Sequence, residues 1–235
     1  MSLYGIFKIE DWNYIDQSIL NSLTESEYDL MINQAEQHTY EKGEIIFREG
    51  EAPNGVYFIK QGKVKKYFNR GEGKESIIYI AGKGELIGYH SVFSEKNHSH
   101  SAATLEVSIV AFIPIEVFFK VKRGSVAFTD ALLKALAHDF TVFINLTACK
   151  NDTAERRVAV MLILSREKSK AGLVSGSQVE INISRTDLAN FVGLSKEHVI
   201  RVLAGFKKQD IIKTQGSSIW VTDLEQLVAI SKSGH

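Results

Sequence analysis

Ile183 to Phe206 reads ISRTDLANFVGLSKEHVIRVLAGF. Ser184 followed three residues later by Asp187 is a helix start, in which the serine oxygen takes up a backbone N–H that the first turn leaves unpaired. Leu188, Ala189, Phe191 and Val192 supply the buried side of about two turns. Gly193 then ends the helix, where a left-handed backbone is easiest for glycine. Ser195 starts a second helix whose apolar side is Val199, Val202, Leu203 and Phe206. Two helices joined by a glycine-bearing turn, the second one basic, form a helix-turn-helix.

In that arrangement the N-terminal residues of the second helix enter the major groove of double-stranded DNA. Arg201 can donate two hydrogen bonds to guanine O6 and N7, and Glu197 can accept one from cytosine N4. Four residues separate them, so both leave one face. Lys196 reaches a guanine or a phosphate, Arg185 grips the backbone, and Ser195 and His198 add phosphate or base contacts. Alone, Glu197 and Arg201 would read as an ordinary surface ion pair. Ile211-Ile212 and Ser218-Ile219-Trp220-Val221 follow as a hairpin, the wing of a winged helix-turn-helix, and favour the nucleic-acid reading.

Net charge is zero, yet its distribution is uneven. Residues 1–151 hold 16 Lys and Arg against 19 Asp and Glu, net −3; residues 152–235 hold 12 against 9, net +3. A basic patch on one small domain suffices for phosphate contact, because the field acts within a Debye length of about 8–10 Å. The single cysteine, Cys149, excludes an intramolecular disulfide and a four-cysteine iron–sulfur cluster, and fits a reducing cytosol. It reads as a small packed residue rather than a redox sensor. Residues 1–12 carry Lys8, Glu10 and Asp11 and no apolar core of a signal peptide. No stretch approaches the run of about 20 apolar residues that a membrane helix needs. A cytoplasmic location without a membrane partner is therefore expected.

Upstream of the helix-turn-helix the texture changes twice. Residues 13–36 read as helical, with a capping box at Thr24 and Glu27. From His38 to Pro114, short apolar runs alternate with glycines: Glu44–Phe47, Val56–Ile59, Val64–Phe68, Ser76–Ile80 and Val107–Ile113 predict strands of an antiparallel barrel, sandwich or roll. Ile115–Val121 predicts a short helix, and Phe128–Lys150 a long one without Gly or Pro. On it Leu133, Leu136, Phe140, Phe143 and Thr147 alternate spacings of three and four, the seam of a two-stranded coiled coil. The seam predicts a homodimer; the alternative is packing on the chain's own roll. Asp152 is expected to cap a helix over Thr153–Arg166, with Ala154, Val158, Met161 and Leu162 as its apolar side. Ser169–Ser177 reads as a loop or hairpin tip and Val179–Ile183 as a strand.

Here a resemblance becomes specific. The run Ile183-Ser184-Arg185-x-Asp187-Leu188-Ala189-x-x-Val192-Gly193-Leu194-Ser195-x-Glu197-x-Val199-x-Arg201-x-Leu203 resembles the DNA-binding domain of the CRP/FNR regulators. Lys42-Gly43-Glu44-x-Ile46, Glu49-Gly50-Glu51, Tyr57-Phe58-Ile59-x-x-Gly62-x-Val64 and Gly84-Glu85-x-Ile87-Gly88 are similar to that family's effector domain. The resemblance covers about residues 20–225. It implies an α+β chain: an N-terminal antiparallel β-roll of jelly-roll type over 1–126, a central dimerisation helix over 127–151, and a C-terminal winged helix-turn-helix domain over 152–235. It further implies that Lys196, Glu197 and Arg201 read an inverted-repeat operator with a TGA-containing half-site, and adds RNA polymerase as an expected partner.

The family pattern breaks at the effector pocket, expected at Gly88, Tyr89, His98, Ser99, His100 and Thr141. Members that bind cyclic nucleotides have a ribose-binding glutamate after this glycine and a phosphate-binding arginine some ten residues on. Here Tyr89 follows Gly88, and Ser94–Ala103 holds no arginine. Without a guanidinium the buried phosphate loses its bidentate partner, so cyclic AMP is not the expected effector. Modulation by a different small effector is the leading reading, and no effector, with Tyr89 filling the pocket, is the alternative. His90, His98 and His100 suggest a metal or a haem, but polar loop residues are the plainer reading, since metal sites need three or four placed ligands. A metal-binding cupin-like sandwich would want a His-x-His pair on a strand, and His98-x-His100 is the one such pair. No nucleophile elbow, P-loop or GxGxxG is present, so no catalytic residue is expected.

Overall fold

A computed structural model describes residues 2–3, 7–8, 19–71, 74–94, 96–170 and 178–232. The loop expected over Ser169–Ser177 falls mostly outside these residues, and so does the start of the helix expected from residue 13. Two compact units divide the chain: residues 14–69 with 79–141, and residues 1–13, 70–78 and 142–235.

The chain opens with β1 (Ser2–Leu3) and β2 (Phe7–Lys8), which pair antiparallel. The helical segment near residue 20 is shorter than expected. A 3-10 turn over Ile19–Ser22 precedes α1 (Glu25–Ile32), whose N-terminus carries the predicted capping box of Thr24 and Glu27. Glu36–Tyr40 is instead β3, an edge strand with four of five side chains exposed. Exposure on both faces explains why its polar sequence gave no strand signal.

Then come β4 (Ile45–Phe47), β5 (Gly55–Gln61), β6 (Val64–Asn69), β7 (Glu75–Ala81), β8 (Leu86–Ile87), α2 (Tyr89–Ser94), β9 (Ser101–Thr104) and β10 (Ser108–Pro114). They form two four-stranded sheets, ordered β3-β10-β5-β8 and β4-β9-β6-β7, the expected antiparallel roll. β9 escaped the sequence reading because its Ser-Ala-Ala-Thr is short and small; all four residues are buried between β4 and β6. Gly62 shows why the glycines punctuate this half. Its φ is +92°, and a Cβ there would lie 2.2 Å from Ser108 Oγ. Val56, Phe58, Ala111 and Ile113 from β5 and β10 meet Met31 of α1 and Phe118 of α3 (Ile115–Gly124) in one apolar core. Phe128 and Leu132, from the first turns of α4 (Val126–Ala148), complete it.

The other unit is built on α5 (Ala154–Ser169), twelve of whose residues are buried. Its cap corrects the expectation: Thr153, not Asp152, accepts the N–H of Arg156. Asp152 instead pairs with the Arg156 guanidinium at 2.9 Å, one helical turn on, and Arg156 Nε donates to the Ser231 carbonyl. β11 (Glu180–Asn182), α6 (Arg185–Val192), α7 (Lys196–Lys208), β12 (Ile212–Gln215), β13 (Ser218–Val221) and α8 (Leu224–Lys232) follow, with the strands ordered β11-β13-β12.

One expectation about membranes needs correction. The helical stretch Val126–Asn151 is long and apolar enough, by length and composition, to cross one. Scanning for an unbroken apolar run missed it, because its leucines, phenylalanines and alanines are interrupted by a few charges and threonines. One side of that stretch is committed to protein through Phe128 and Leu132.

Candidate nucleic-acid interface and the roll interior

The helix-turn-helix is held at both joints. Ser184 Oγ accepts from the Asp187 N–H at 2.9 Å and opens α6. Gly193 closes it in the left-handed region, φ +68° and ψ +40°, and the N–H groups of Gly193 and Leu194 both reach the Ala189 carbonyl. Arg157 of α5 donates to the Val192 carbonyl at 3.0 Å, tying off another carbonyl at the turn. Ser195 then caps α7, accepting from the His198 N–H. Val199, Val202, Leu203 and Phe206 are buried, which fixes the rotation of α7 about its axis. The opposite side is left to solvent: Ser195, Lys196, Glu197 and Arg201 are exposed, His198 is half-buried, and Lys207 and Lys208 stand exposed at the far end.

Arg185, half-buried at the start of α6, has partners within the chain. Its guanidinium donates to the carbonyls of Gly216 at 3.1 Å and Ser217 at 3.5 Å, in the turn between β12 and β13. These contacts tie the start of α6 to the wing tip. No sequence signal pointed there, because the contact spans some thirty residues.

Inside the roll the expected pocket residues are only partly brought together: a Cβ on Gly88 would lie 3.5 Å from the His98 ring. Gly88 takes φ +83° and turns the chain into α2. Tyr89 is 2% exposed, and its hydroxyl donates to Asp139 of α4 at 3.0 Å. Lys66 of β6, 4% exposed, donates to the same carboxylate at 3.1 Å and lies 4.4 Å from the Tyr79 ring centroid. A cavity of 20 Å³ beside Tyr89, His138 and Asp139 has room for about one water. Ser99 is exposed, and Thr141 Oγ1 turns back to the Ala137 carbonyl of its own helix.

His98 and His100 lie in the loop before β9, as expected, but not at its surface. Both are buried: His98 stacks on Phe47 at 4.0 Å and bonds Ser91 Oγ, while His100 Nδ1 meets Ser99 Oγ. Neutral imidazoles make this possible. Burial, then the Lys66 charge, push His90 down to about 4 and His100 to about 3. They precede β9 rather than lying on a strand, and among the described residues no three His, Cys, Asp or Glu are placed to hold a metal ion. Cys149 is buried, with its thiol raised to about 11 by burial and by Asp152, so it carries no reactive thiolate.

Lys66 and Asp139 were missed in the sequence. A lysine inside a strand and one acid in the middle of an apolar helix were the available signals.

On α4 the seam residues are open to solvent: Leu133 is 59% exposed, Leu136 40%, Phe140 63% and Phe143 48%, with Thr147 also exposed. Ile144, 46% exposed, widens the stripe.

Comparison with known proteins agrees with this arrangement. Residues 37–124 match the cyclic nucleotide-binding domain family, and residues 156–230 match the Crp-like helix-turn-helix domain. The anaerobic regulatory protein of Haemophilus influenzae is 26% identical over 213 residues, covering 89% of this chain and 82% of that protein. The transcriptional activator protein Anr of Pseudomonas protegens is 27% identical over 81% of this chain and 78% of its own. FixK2 from Bradyrhizobium japonicum shares the fold, with a TM-score of 0.75 at 22% identity over 86% of this chain and 99% of its own. A nucleotide-binding-type roll, a long helix and a DNA-binding helix-turn-helix define a transcription regulator. The chain belongs to the CRP/FNR family.

Proposed function

We propose that this regulator binds DNA as a homodimer, reads an inverted repeat with Lys196, Glu197 and Arg201, and does not respond to cyclic AMP. The observation that carries the DNA reading is the exposed, charged face of α7, held in orientation by four buried apolar residues and a capped start. Ser195 and His198 lie at the same helix end and take phosphate or base contacts, while Arg185, which also bonds the wing tip, grips the DNA backbone. The dimer closes over Leu133, Leu136, Phe140, Phe143 and Thr147, a stripe whose four large apolar groups are too exposed to be left to water. Covering it in this way also removes the reason for α4 to enter a membrane. The functional division is then 1–126 for the roll, 127–151 for the dimer helix and 152–235 for DNA binding, in a cytoplasmic protein that meets RNA polymerase at its promoters.

Two readings of the roll remain, a small effector other than cyclic AMP or none. The buried Lys66–Asp139–Tyr89 group favours the second, since the chain supplies its own anion for the buried cation. Two measurements test the proposal on purified protein without added ligand. Gel-shift titration should give a specific complex, and calorimetric titration with cyclic AMP should give no binding at micromolar concentration. Micromolar or tighter affinity for cyclic AMP overturns the reading of the roll. Loss of DNA binding unless a small molecule is added overturns effector independence.

A further inference from the structure

Ile200 stands out on α7. It is 46% exposed, although the residues exposed around it in the first half of the helix, Lys196, Glu197 and Arg201, are charged. A single exposed isoleucine is ordinary on a protein surface, so its direction decides the matter. At about 100° per residue, the buried Val199, Val202, Leu203 and Phe206 gather around the direction opposite Glu197. Ala204, Arg201 and Ile200 all fall within about 60° of Glu197. Arg201 lies to one side of it and Ile200 to the other. Ile200 therefore belongs to the sector that faces the groove, whereas Lys196 points toward the flank.

An isoleucine side chain has no polar atom with which to pair a base edge or a phosphate. The apolar group that the major groove offers is the C5 methyl of thymine. β-Branching leaves Ile200 essentially one χ1 rotamer in a helix, so little side-chain freedom is lost on contact. We propose that Ile200 is a specificity-determining residue that packs on a thymine methyl, one base step across Glu197 from the pair read by Arg201. This rests on α7 being the reading helix.

The test uses the full chain and the duplex that it enriches from a random pool. Each thymine of the half-site is replaced in turn by deoxyuridine, which removes the methyl group alone. One such replacement should weaken the wild type about fourfold per half-site, the effect of losing one buried methyl-sized group. That ratio should fall to about one in Ile200→Ala and survive in Ile200→Val, with circular dichroism and melting temperature unchanged in both. Tolerance of every deoxyuridine by the wild type overturns the role of Ile200. So does an Ile200→Ala variant that keeps the ratio, or one that weakens all duplexes alike, which would place the side chain against the sugar–phosphate backbone. Those results leave the reading helix standing if Arg201→Ala still loses a guanine preference. A wild type that enriches no motif overturns both.

Discussion

His90, His98 and His100 enter the roll without charge, because burial removes the water that would solvate an imidazolium; Lys66 adds repulsion at His90 and His100, whereas Glu51 acts the other way at His98. All three therefore have lowered folded-state pKa values, while the unfolded chain protonates them near 6.5. Between pH 6.5 and about 4 the unfolded state binds more protons, so folding stability falls as the pH drops through that window and is flat above it. Each fully neutral buried histidine contributes a slope of about 1.4 kcal/mol per pH unit there. Urea unfolding at pH 7.5, 6.0 and 5.0 should show the loss, and His100→Gln should reduce the slope. A stability independent of pH between 7.5 and 5 contradicts the neutral assignment. At this scale Ser184, Gly193 and Ser195 were legible in the sequence, because caps act over three or four residues. The burial of the histidines and the wing contact of Arg185 were not, since both depend on residues far along the chain.

α4 carries two unlike faces, and the sequence announced one of them. The stripe from Leu133 to Thr147 follows from spacing alone. The inward face does not, because Asp139 gains its meaning only when β6 brings Lys66 to it. Removing one member of a buried pair strands the other, so Asp139→Asn should cost about 3–5 kcal/mol in chemical denaturation. Lys66→Met combined with Asp139→Leu should cost markedly less than Asp139→Asn, since no charge is then left buried. Equal losses in the two proteins would mean that packing around Tyr89, not charge, holds this part of α4. The strands follow the same division. β5, β6, β7 and β10 show in the apolar runs, whereas the exposed edge β3 and the small-residue β9 leave no periodic trace.

For the whole molecule, the proposal is a symmetric dimer that presents two α7 helices to one duplex. Charged replacements at Leu136 and Phe143 together should give monomers by light scattering with the fold retained; a persistent dimer would place the interface elsewhere. Lys207→Ala and Lys208→Ala should weaken binding to all sequences alike and flatten its salt dependence by about one phosphate contact each. A sequence-dependent change would instead bring them to the bases. The most direct test of the central claim is selection from random duplexes at fixed salt, with the wild type and Arg201→Ala side by side. The wild type should enrich an inverted repeat with half-site centres about 34 Å apart and a fixed guanine in each. Arg201→Ala should lose about 1–3 kcal/mol per half-site and relax preference at that guanine alone. A palindrome that keeps the same guanine preference after Arg201→Ala would contradict the account.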